Sequence, residues 1–278
     1  EDAPSEIVES IGYTNDPNRF DKYNVVIIPS GFFDEHVYGT PASMPQFPLR
    51  EVQGIPLLFG SPKEEWVGDT WVVHADIIAS TYFLVSRYEE MMRRDVRDAH
   101  GRFPGRESLP YRAGFLHRPI VDEYRLLLHR WIRQSHLRVP EIKKQVRKVY
   151  LTHDLDAPTL FRTWKGLVRS LLAQRGLFTS LKGKFGSLEQ DPYYTFPWLF
   201  RQNSLLQEAL GPVGCQAILF LRCGGNTSFD KPFYALTDHD IRHLLKSASD
   251  HGMHIGLHSS YQAGKEPALI RKEKETLE

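Results

Sequence analysis

The strongest constraint on the fold is the alternation of strand-like and helix-like segments after residue 148. Short apolar runs at 149–151 and 216–221, and a segment with a polar end at 253–260, have the pattern of strands, and each is followed by a segment with helical periodicity. This order favours parallel strands with helices packed on the sheet, or a (β/α) barrel. Because three strands cannot close a barrel, this half of the chain predicts only the beginning of one.

The first half of the chain predicts a separate α/β arrangement. Asp76 is suited to cap a helix that continues to about Arg94, and a second helix is expected at 120–137. Five prolines between residues 40 and 72 make long helices there unfavourable. Strands are expected at 23–29, 55–59 and 70–74.

The composition is that of a folded protein with two domains. The chain has 278 residues, of which 41% are hydrophobic and 25% charged. Pro140 and the basic run at 143–148 predict a junction near 140–148, so we place an N-terminal α/β domain at 1–145 and a second domain at 146–278. With 35 Lys and Arg against 34 Asp and Glu, the net charge predicts neither a nucleic-acid partner nor a membrane partner.

Several features favour the cytoplasm. No apolar run reaches the ~20 residues of a transmembrane helix, and the acidic start of the chain differs from a signal peptide. Cys215 and Cys223 flank one predicted strand, which would separate them by roughly 26 Å, too far for a disulfide. Free thiols favour a reducing compartment.

The segment 161–185 contains six basic residues and no acidic residue. One interpretation is a helix that faces an anionic glycan, a lipid or a membrane surface. The other, which we favour from the sequence alone, is a solvated basic face over an apolar stripe that faces the core. The basic residues are Arg162, Lys165, Arg169, Arg175, Lys182 and Lys184, and the stripe comprises Leu160, Trp164, Leu167, Leu171 and Leu172.

Polar side chains follow the first and third predicted strands of the second domain. Asp154 and Asp156 lie on one face of a regular strand, about 7 Å apart. The carboxyl ends of parallel strands lie at one edge, so both acids are expected near His258. Carboxylates and an imidazole with one open position are typical of a catalytic zinc or similar divalent site, in which an unligated Asp accepts a proton.

Three segments together resemble the NodB-like polysaccharide deacetylases of carbohydrate esterase family four. Residues 151–156 resemble the first motif, an apolar strand that ends in Thr-Phe-Asp-Asp or in Asp-x-Asp. Residues 215–220 resemble the second strand, and 254–262 resemble the second motif, Glu-Ile-Gly-Asn-His-Thr-x-x-His. The order and spacing of the three segments agree with the family.

The resemblance implies a function and a role for each motif residue. It implies removal of acetyl groups from sugars of a polysaccharide or glycan precursor, with Asp154 as general base. Asp156 and His258 would be ligands of a divalent metal, preferably zinc. Gln262 stands where the family has its second histidine, so the third ligand is His254, His153, a residue after Glu278, or none. For His254 a role in the core is favoured, and for His153 a role in packing.

The resemblance covers 147–278, the first half of a NodB-like (β/α) barrel. The family's later motifs are not in this sequence, so we expect the natural protein to be longer. Residues 76–90 and 100–103 resemble an uncharacterised domain that precedes the deacetylase domain in a bacterial subgroup. Arg87, Glu89 and Glu90 in that segment are expected to form an ion network on a helix surface.

Two other functions fit parts of the same pattern. A glycosyltransferase could use Asp-x-Asp to hold a divalent metal and a nucleotide diphosphate, but this leaves His258 without a role. A non-catalytic, glycan-binding homologue of the deacetylases is favoured by Gln262 and by the missing later motifs. Binding of a nucleotide diphosphate with Mn²⁺ separates the first alternative from a deacetylase, and the metal content of the protein separates the second.

Overall fold

The protein divides into two compact units. The structure, a computed structural model, describes residues 11–137, 146–173, 176–227 and 229–278. The units are Glu1–Ile142 and Lys143–Glu278, and both combine helices with sheets, which confirms a mixed α/β class. Most of the predicted junction at 140–148 lies outside the described residues. In the described part of the chain, no helix combines the length and apolar composition needed to cross a membrane.

The first unit is built on a mixed sheet with the order β1-β2-β6-β5. β1, β2 and β6 are parallel, β5 is antiparallel to β6, and β3 and β4 form a separate antiparallel pair. All three residues of β2 are buried, as expected for a parallel strand covered on both faces. The strands are β1 (Ile11–Tyr13), β2 (Val25–Ile27), β3 (Arg50–Val52), β4 (Ile55–Leu57), β5 (Gly60–Val67) and β6 (Thr70–Ala75).

The helices of the first unit follow the two predicted helical segments, except for a break in the first segment and a short helix at 109–112 that was not predicted. Asp76 caps the first helix, because its Oδ1 accepts a hydrogen bond from the Ala79 backbone N–H at 2.9 Å. The prediction that this helix continues to Arg94 is wrong, since Arg87 has a φ of 55° and left-handed backbone interrupts helical hydrogen bonding. The helices are α1 (Ile77–Val85), α2 (Tyr88–Met92), α3 (Leu109–Arg112) and α4 (Ile120–Gln134).

The ion network predicted around α2 is present, but part of it is internal. Arg87 and Glu90 form an exposed pair at 2.6 Å, as expected. Glu89, by contrast, is buried, so its expected place on the helix surface is wrong. Its Oε1 lies 3.0 Å from Arg93 Nη1 and 2.8 Å from Arg112 Nη2. A buried carboxylate needs such cationic partners, and this network joins α2 to α3.

The second unit contains the predicted alternation of strands and helices. Its sheet has the order β7-β8-β9, and all three strands are parallel. These described strands form an open sheet, and the barrel implied by the resemblance remains a prediction. The elements are β7 (Val149–Leu155), α5 (Trp164–Leu172), α6 (Leu177–Phe185), α7 (Phe196–Gly214), β8 (Cys215–Arg222), α8 (His239–Asp250), β9 (His254–His258) and α9 (Pro267–Leu277).

The two faces of this sheet differ in burial. Alternate residues of β8 are buried, and Leu219 and Leu221 pack in a core with Phe200 of α7 and Leu244 of α8. The intervening residues of β8 are only half-buried, and the register pairs Phe220 with Asp154 on β7. The first face therefore anchors the sheet to its helices, and the second carries the polar ends of the strands.

The apolar residues of 161–185 do not form the expected core-facing stripe. Leu167 is buried, but Trp164 is 66% exposed and Leu172 is 80% exposed. The buried positions of the two helices include small residues, and the Oγ atoms of Ser170 and Ser180 lie 2.7 Å apart. The interpretation favoured from the sequence is therefore wrong for most of the stripe. Arg175, one of the six basic residues, lies outside the described residues.

The thiols behave as the sequence predicts. Cys215 is buried, Cys223 is half-buried, and both are free cysteines. Burial, with a smaller contribution from the nearby Glu273 carboxylate, raises the pKa of the Cys223 thiol above its usual value. Cys223 is therefore protonated, and unreactive as a nucleophile, near neutral pH.

Candidate active site at the carboxyl edge of the parallel sheet

The predicted site residues lie together at the carboxyl edge of the β7-β8-β9 sheet. Asp154 is the penultimate residue of β7, Asp156 follows the strand, and His258 ends β9. The side chains of the two aspartates are 58% and 60% exposed. The parallel register places His258 beside Arg222, the last residue of β8. The edge thus presents two open carboxylates next to an imidazole.

Arg222 lies between these groups and contacts two of them. Its Nη2 atom is 2.8 Å from Asp156 Oδ1 and 3.5 Å from His258 Nε2. His258 Nε2 is in turn 3.6 Å from Asp154 Oδ2. The first contact is a charge-assisted hydrogen bond, and the last becomes an ion pair when the imidazole is protonated. One guanidinium nitrogen therefore neutralises Asp156 and borders the imidazole.

Arg222 was not predicted as a site residue, although the sequence shows this basic residue at the end of the apolar strand β8. Its side chain is only 13% exposed, and its Nε atom is buried without a hydrogen-bond partner among the described residues. A buried guanidinium N–H without an acceptor is costly, because each such donor loses its hydration. The residue therefore combines one strong carboxylate contact with one unsatisfied donor.

Tyr234 fixes the ends of β7 and β8 relative to each other. Its hydroxyl accepts a hydrogen bond from the Arg222 backbone N–H at 2.9 Å and donates one to the Leu155 carbonyl oxygen at 2.9 Å. Burial raises the pKa of Tyr234 to about 12, so the phenol keeps its proton at neutral pH. The protonated hydroxyl is required, because only that form donates to Leu155.

A buried carboxylate holds the segment that follows β9. Asp230 Oδ2 accepts a hydrogen bond from the Tyr261 backbone N–H at 2.6 Å, and Oδ1 accepts from the backbone N–H and hydroxyl of Thr227. Burial opposes ionisation of Asp230, but these hydrogen bonds and the charge of Arg222 together hold its pKa below the usual value. Asp230 is therefore ionised at neutral pH and fixes the chain just after His258.

A second buried carboxylate borders a cavity beside this segment. Glu273 of α9 accepts a hydrogen bond from the Ser260 backbone N–H at 3.0 Å through Oε2. The cavity has a volume of about 520 Å³, and its lining includes Glu273, Cys223, Asn226 and Gln262. Gln262, which stands where the resemblance places a metal-binding histidine, thus faces this cavity. Among the described residues, Gln262 forms no hydrogen bond with Asp156 or His258, which contact Arg222 instead.

The two histidines considered as third ligands lie elsewhere. His153 is on the opposite face of β7, where its Nε2 lies 2.9 Å from Asn203 Nδ2 of α7. This agrees with its expected role in packing. His254 is exposed, so the expectation that it belongs to the core is wrong. It precedes His258 by four residues of one strand, roughly 13 Å, which is too far to share a metal ion with it.

The chemical types of the ligand atoms at the site fit a divalent metal, but the site supplies fewer ligands than a metal centre needs. Asp156 and His258 supply a carboxylate oxygen and an imidazole nitrogen, both of which zinc accepts. Among the described residues, no three His, Cys, Asp or Glu side chains are arranged to hold a metal. The nitrogen between Asp156 and His258 belongs to Arg222, which donates hydrogen bonds and is not a metal ligand.

Comparison with known protein families finds one matching model, and the match lies within the first unit. Residues 2–137 match a model described as a family of unknown function (DUF7033). No curated protein and no solved structure matched the chain. The family match brings no activity with it, so a function has to be argued from the site itself.

Proposed function

We propose that the second unit belongs to a metal-dependent hydrolase that removes acetyl groups from sugars of a polysaccharide or glycan precursor. The observation that supports this most directly is the grouping of Asp154, Asp156 and His258 at one edge of a parallel sheet. Parallel α/β sheets commonly place catalytic groups at this edge. The three motifs that resemble NodB-like deacetylases supply the reaction class.

Each residue has a separate role in this proposal. When bound, a divalent metal, zinc by preference, lowers the pKa of water and polarises a carbonyl group. Asp156 and His258 would hold the metal. Asp154 is exposed and is not engaged by Arg222 in the described contacts, so it is free to accept a proton as general base. Tyr234, Asp230 and Glu273 position the strand ends and do not take part in the chemistry.

We place this reaction in the cytoplasm. The free thiols of Cys215 and Cys223 support that location, since an oxidising compartment favours paired cysteines. The substrate would be an acetylated glycan, and the open, exposed position of Asp154 and Asp156 suits a bulky polymer better than a small enclosed ligand.

Replacing Asp154 tests the proposal. In the full-length protein loaded with zinc, Asp154→Asn should lower acetate release from N- or O-acetylated oligosaccharides about 100-fold or more. Its zinc content should stay near that of the unchanged protein, because Asp154 is not assigned as a ligand. Asp156→Asn is the matched control, and it should lose both activity and zinc. Unchanged acetate release by Asp154→Asn would remove this residue from the mechanism.

A non-catalytic glycan-binding protein is the second candidate, and the position of Arg222 supports it. A guanidinium between Asp156 and His258 neutralises the site without a metal and offers hydrogen-bond donors to sugar hydroxyl groups. Binding of an acetylated oligosaccharide without zinc uptake or acetate release would favour this candidate. Tight binding of a nucleotide diphosphate with Mn²⁺ would instead favour a glycosyltransferase.

A further inference from the structure

The hairpin formed by α5 and α6 presents large apolar side chains to solvent. Leu172 and Phe178 are each 80% exposed, and Trp164 and Phe185 are also exposed. Trp164 and Phe185 lie edge to face with ring centroids 6.3 Å apart. A soluble protein rarely exposes so many large apolar groups in one place, and such patches mark interaction surfaces. The outer face is completed by Val168, Leu171, Leu177 and Leu181, which are exposed as well.

Small side chains occupy the inner side of the same hairpin. Ser170 and Ser180 are buried and hydrogen-bonded to each other at 2.7 Å. Gly183 packs so closely on Phe161 that an added Cβ would lie 2.3 Å from the ring. The two helices therefore approach each other through small residues, and the bulky residues face outward. This is the reverse of a helix that buries its apolar stripe in a core.

The charged residues of the segment 161–185 itself have a single sign, and one of them, Arg162, is paired with Asp240 of α8 at 3.3 Å. Residues 161–185 include no Asp or Glu, and Arg169 and Lys182 are exposed beside the apolar side chains. The Lys184 Nζ atom lies 4.5 Å from the centroid of the Trp164 ring, a cation–π contact at the edge of the patch. An apolar surface bordered by cations is complementary to an apolar layer bordered by anions.

We propose that this α5–α6 face binds the surface of a membrane that contains anionic lipids. Leu172, Phe178 and Trp164 would enter the boundary between headgroups and acyl chains, and Arg169 and Lys182 would contact lipid phosphates.

Other occupants suit this face less well. A second copy of the chain would bring two sets of cations together. A soluble acidic polymer would leave the apolar side chains in water. Both helices have nine residues, too few to span a bilayer, so the attachment is interfacial. This proposal does not depend on the deacetylase activity.

Vesicle sedimentation of the full chain tests the proposal. One set of vesicles contains phosphatidylcholine alone, and the other contains equal parts of phosphatidylcholine and phosphatidylglycerol. The protein should sediment with the anionic vesicles and only weakly with the neutral ones. Binding to the anionic vesicles should weaken at roughly 0.5 M salt, because screening shortens the range of the attraction. Trp164 fluorescence should shift to shorter wavelength, and Trp164→Phe should lose that shift.

Matched variants separate the apolar and the charged contributions. Phe178→Gln should weaken binding to anionic vesicles about tenfold or more, whereas Phe233→Gln, at another exposed phenylalanine, should not. The double change Arg169→Glu and Lys182→Glu should abolish the preference for phosphatidylglycerol, and Arg271→Glu on α9 should not. All these side chains are exposed, so the variants should retain their circular dichroism spectra.

Three results would overturn the proposal. The first is no sedimentation with either type of vesicle. The second is equal binding of the unchanged protein and Phe178→Gln to anionic vesicles. The third is a lipid-independent dimer that Phe178→Gln dissociates, which would assign the α5–α6 face to a second copy of the chain.

Discussion

Arg222 controls the electrostatics of the candidate site at the scale of single residues. Its Nη2 atom is close enough to Asp156 to neutralise that carboxylate, and it also borders His258. A divalent cation would need the same carboxylate oxygen. In the proposed metal-dependent mechanism, Arg222 and the metal would compete for Asp156, and this competition would set the cation affinity of the site in the absence of substrate.

Replacing Arg222 should strengthen zinc binding. Arg222→Met keeps much of the side-chain volume but removes the positive charge, so we expect zinc affinity to rise about fivefold to tenfold. This range reflects a Coulomb term that is reduced by the exposure of Asp156. Isothermal titration calorimetry measures the change. Arg201→Met, at an exposed arginine of α7, is the control and should leave the affinity unchanged. Weaker zinc binding by Arg222→Met would show that Arg222 supports the metal site.

Asp230 should make the stability of the second unit depend on pH. Its pKa is lower in the folded protein than in the unfolded chain. The ionised carboxylate therefore stabilises the fold above about pH 4, and this contribution is lost as the pH falls through the folded value. Asp230→Asn should lower the free energy of unfolding by about 2 kcal/mol at pH 7. Urea denaturation should show a smaller difference near pH 3, and Asp250→Asn, at an exposed aspartate of α8, serves as the control. A difference that is the same at both pH values would contradict this role.

At the scale of elements, the α5–α6 hairpin depends on close contact through small residues. A Cβ at Gly183 would lie 2.3 Å from Phe161, which is buried. Gly183→Val should therefore destabilise the second unit by about 1–3 kcal/mol through overpacking. Thermal unfolding followed by circular dichroism measures this effect. Gly264→Val is a suitable control, since no atom lies within 4 Å of its added Cβ. Equal melting temperatures for the two variants would be evidence against a tightly packed hairpin.

The sequence predicted elements where local pattern decides the structure. The strands of the second unit and the inward face of α4 follow from apolar periodicity alone. β5 was not predicted, because Pro62 and its charged residues are compatible with a strand only at the edge of a sheet, where β5 lies. The break at Arg87 was also missed. The next residue, Tyr88, packs against aromatic rings that are distant in sequence, such as Phe32 at 5.0 Å between ring centroids, and no local pattern marks those contacts.

The candidate site shows the same division between local and long-range information. Parallel alignment was enough to predict that Asp154, Asp156 and His258 lie at the same edge of the sheet. Asp230 contacts the backbone of Tyr261, a residue 31 positions away, and no sequence motif marks that contact. The orientation of the hairpin was missed for a related reason. The periodicity of apolar residues shows that a helix has an apolar face and a polar face, but it does not show which face packs against the rest of the protein.

At the scale of the whole molecule, each unit has its own hydrophobic core. Two cores allow two unfolding transitions, so one free energy of unfolding does not describe the chain. Tryptophans lie in both units, Trp131 in the first and Trp164 in the second, and total tryptophan fluorescence therefore mixes the two signals. The effect of a variant is therefore read from the unfolding transition of the unit that carries the change, and the transition of the other unit serves as an internal reference.

The open order of the second sheet also affects how the protein behaves in concentrated solution. Among the described strands, β9 pairs with β8 on one side only. Along its other side, main-chain N–H and C=O groups are available to any extended segment, and Ile255 adds an exposed apolar side chain. Such an edge strand is a template for strand addition. An extended segment that pairs with β9, from this chain or from another, would add a strand beside it and would lie next to His258 and the candidate site.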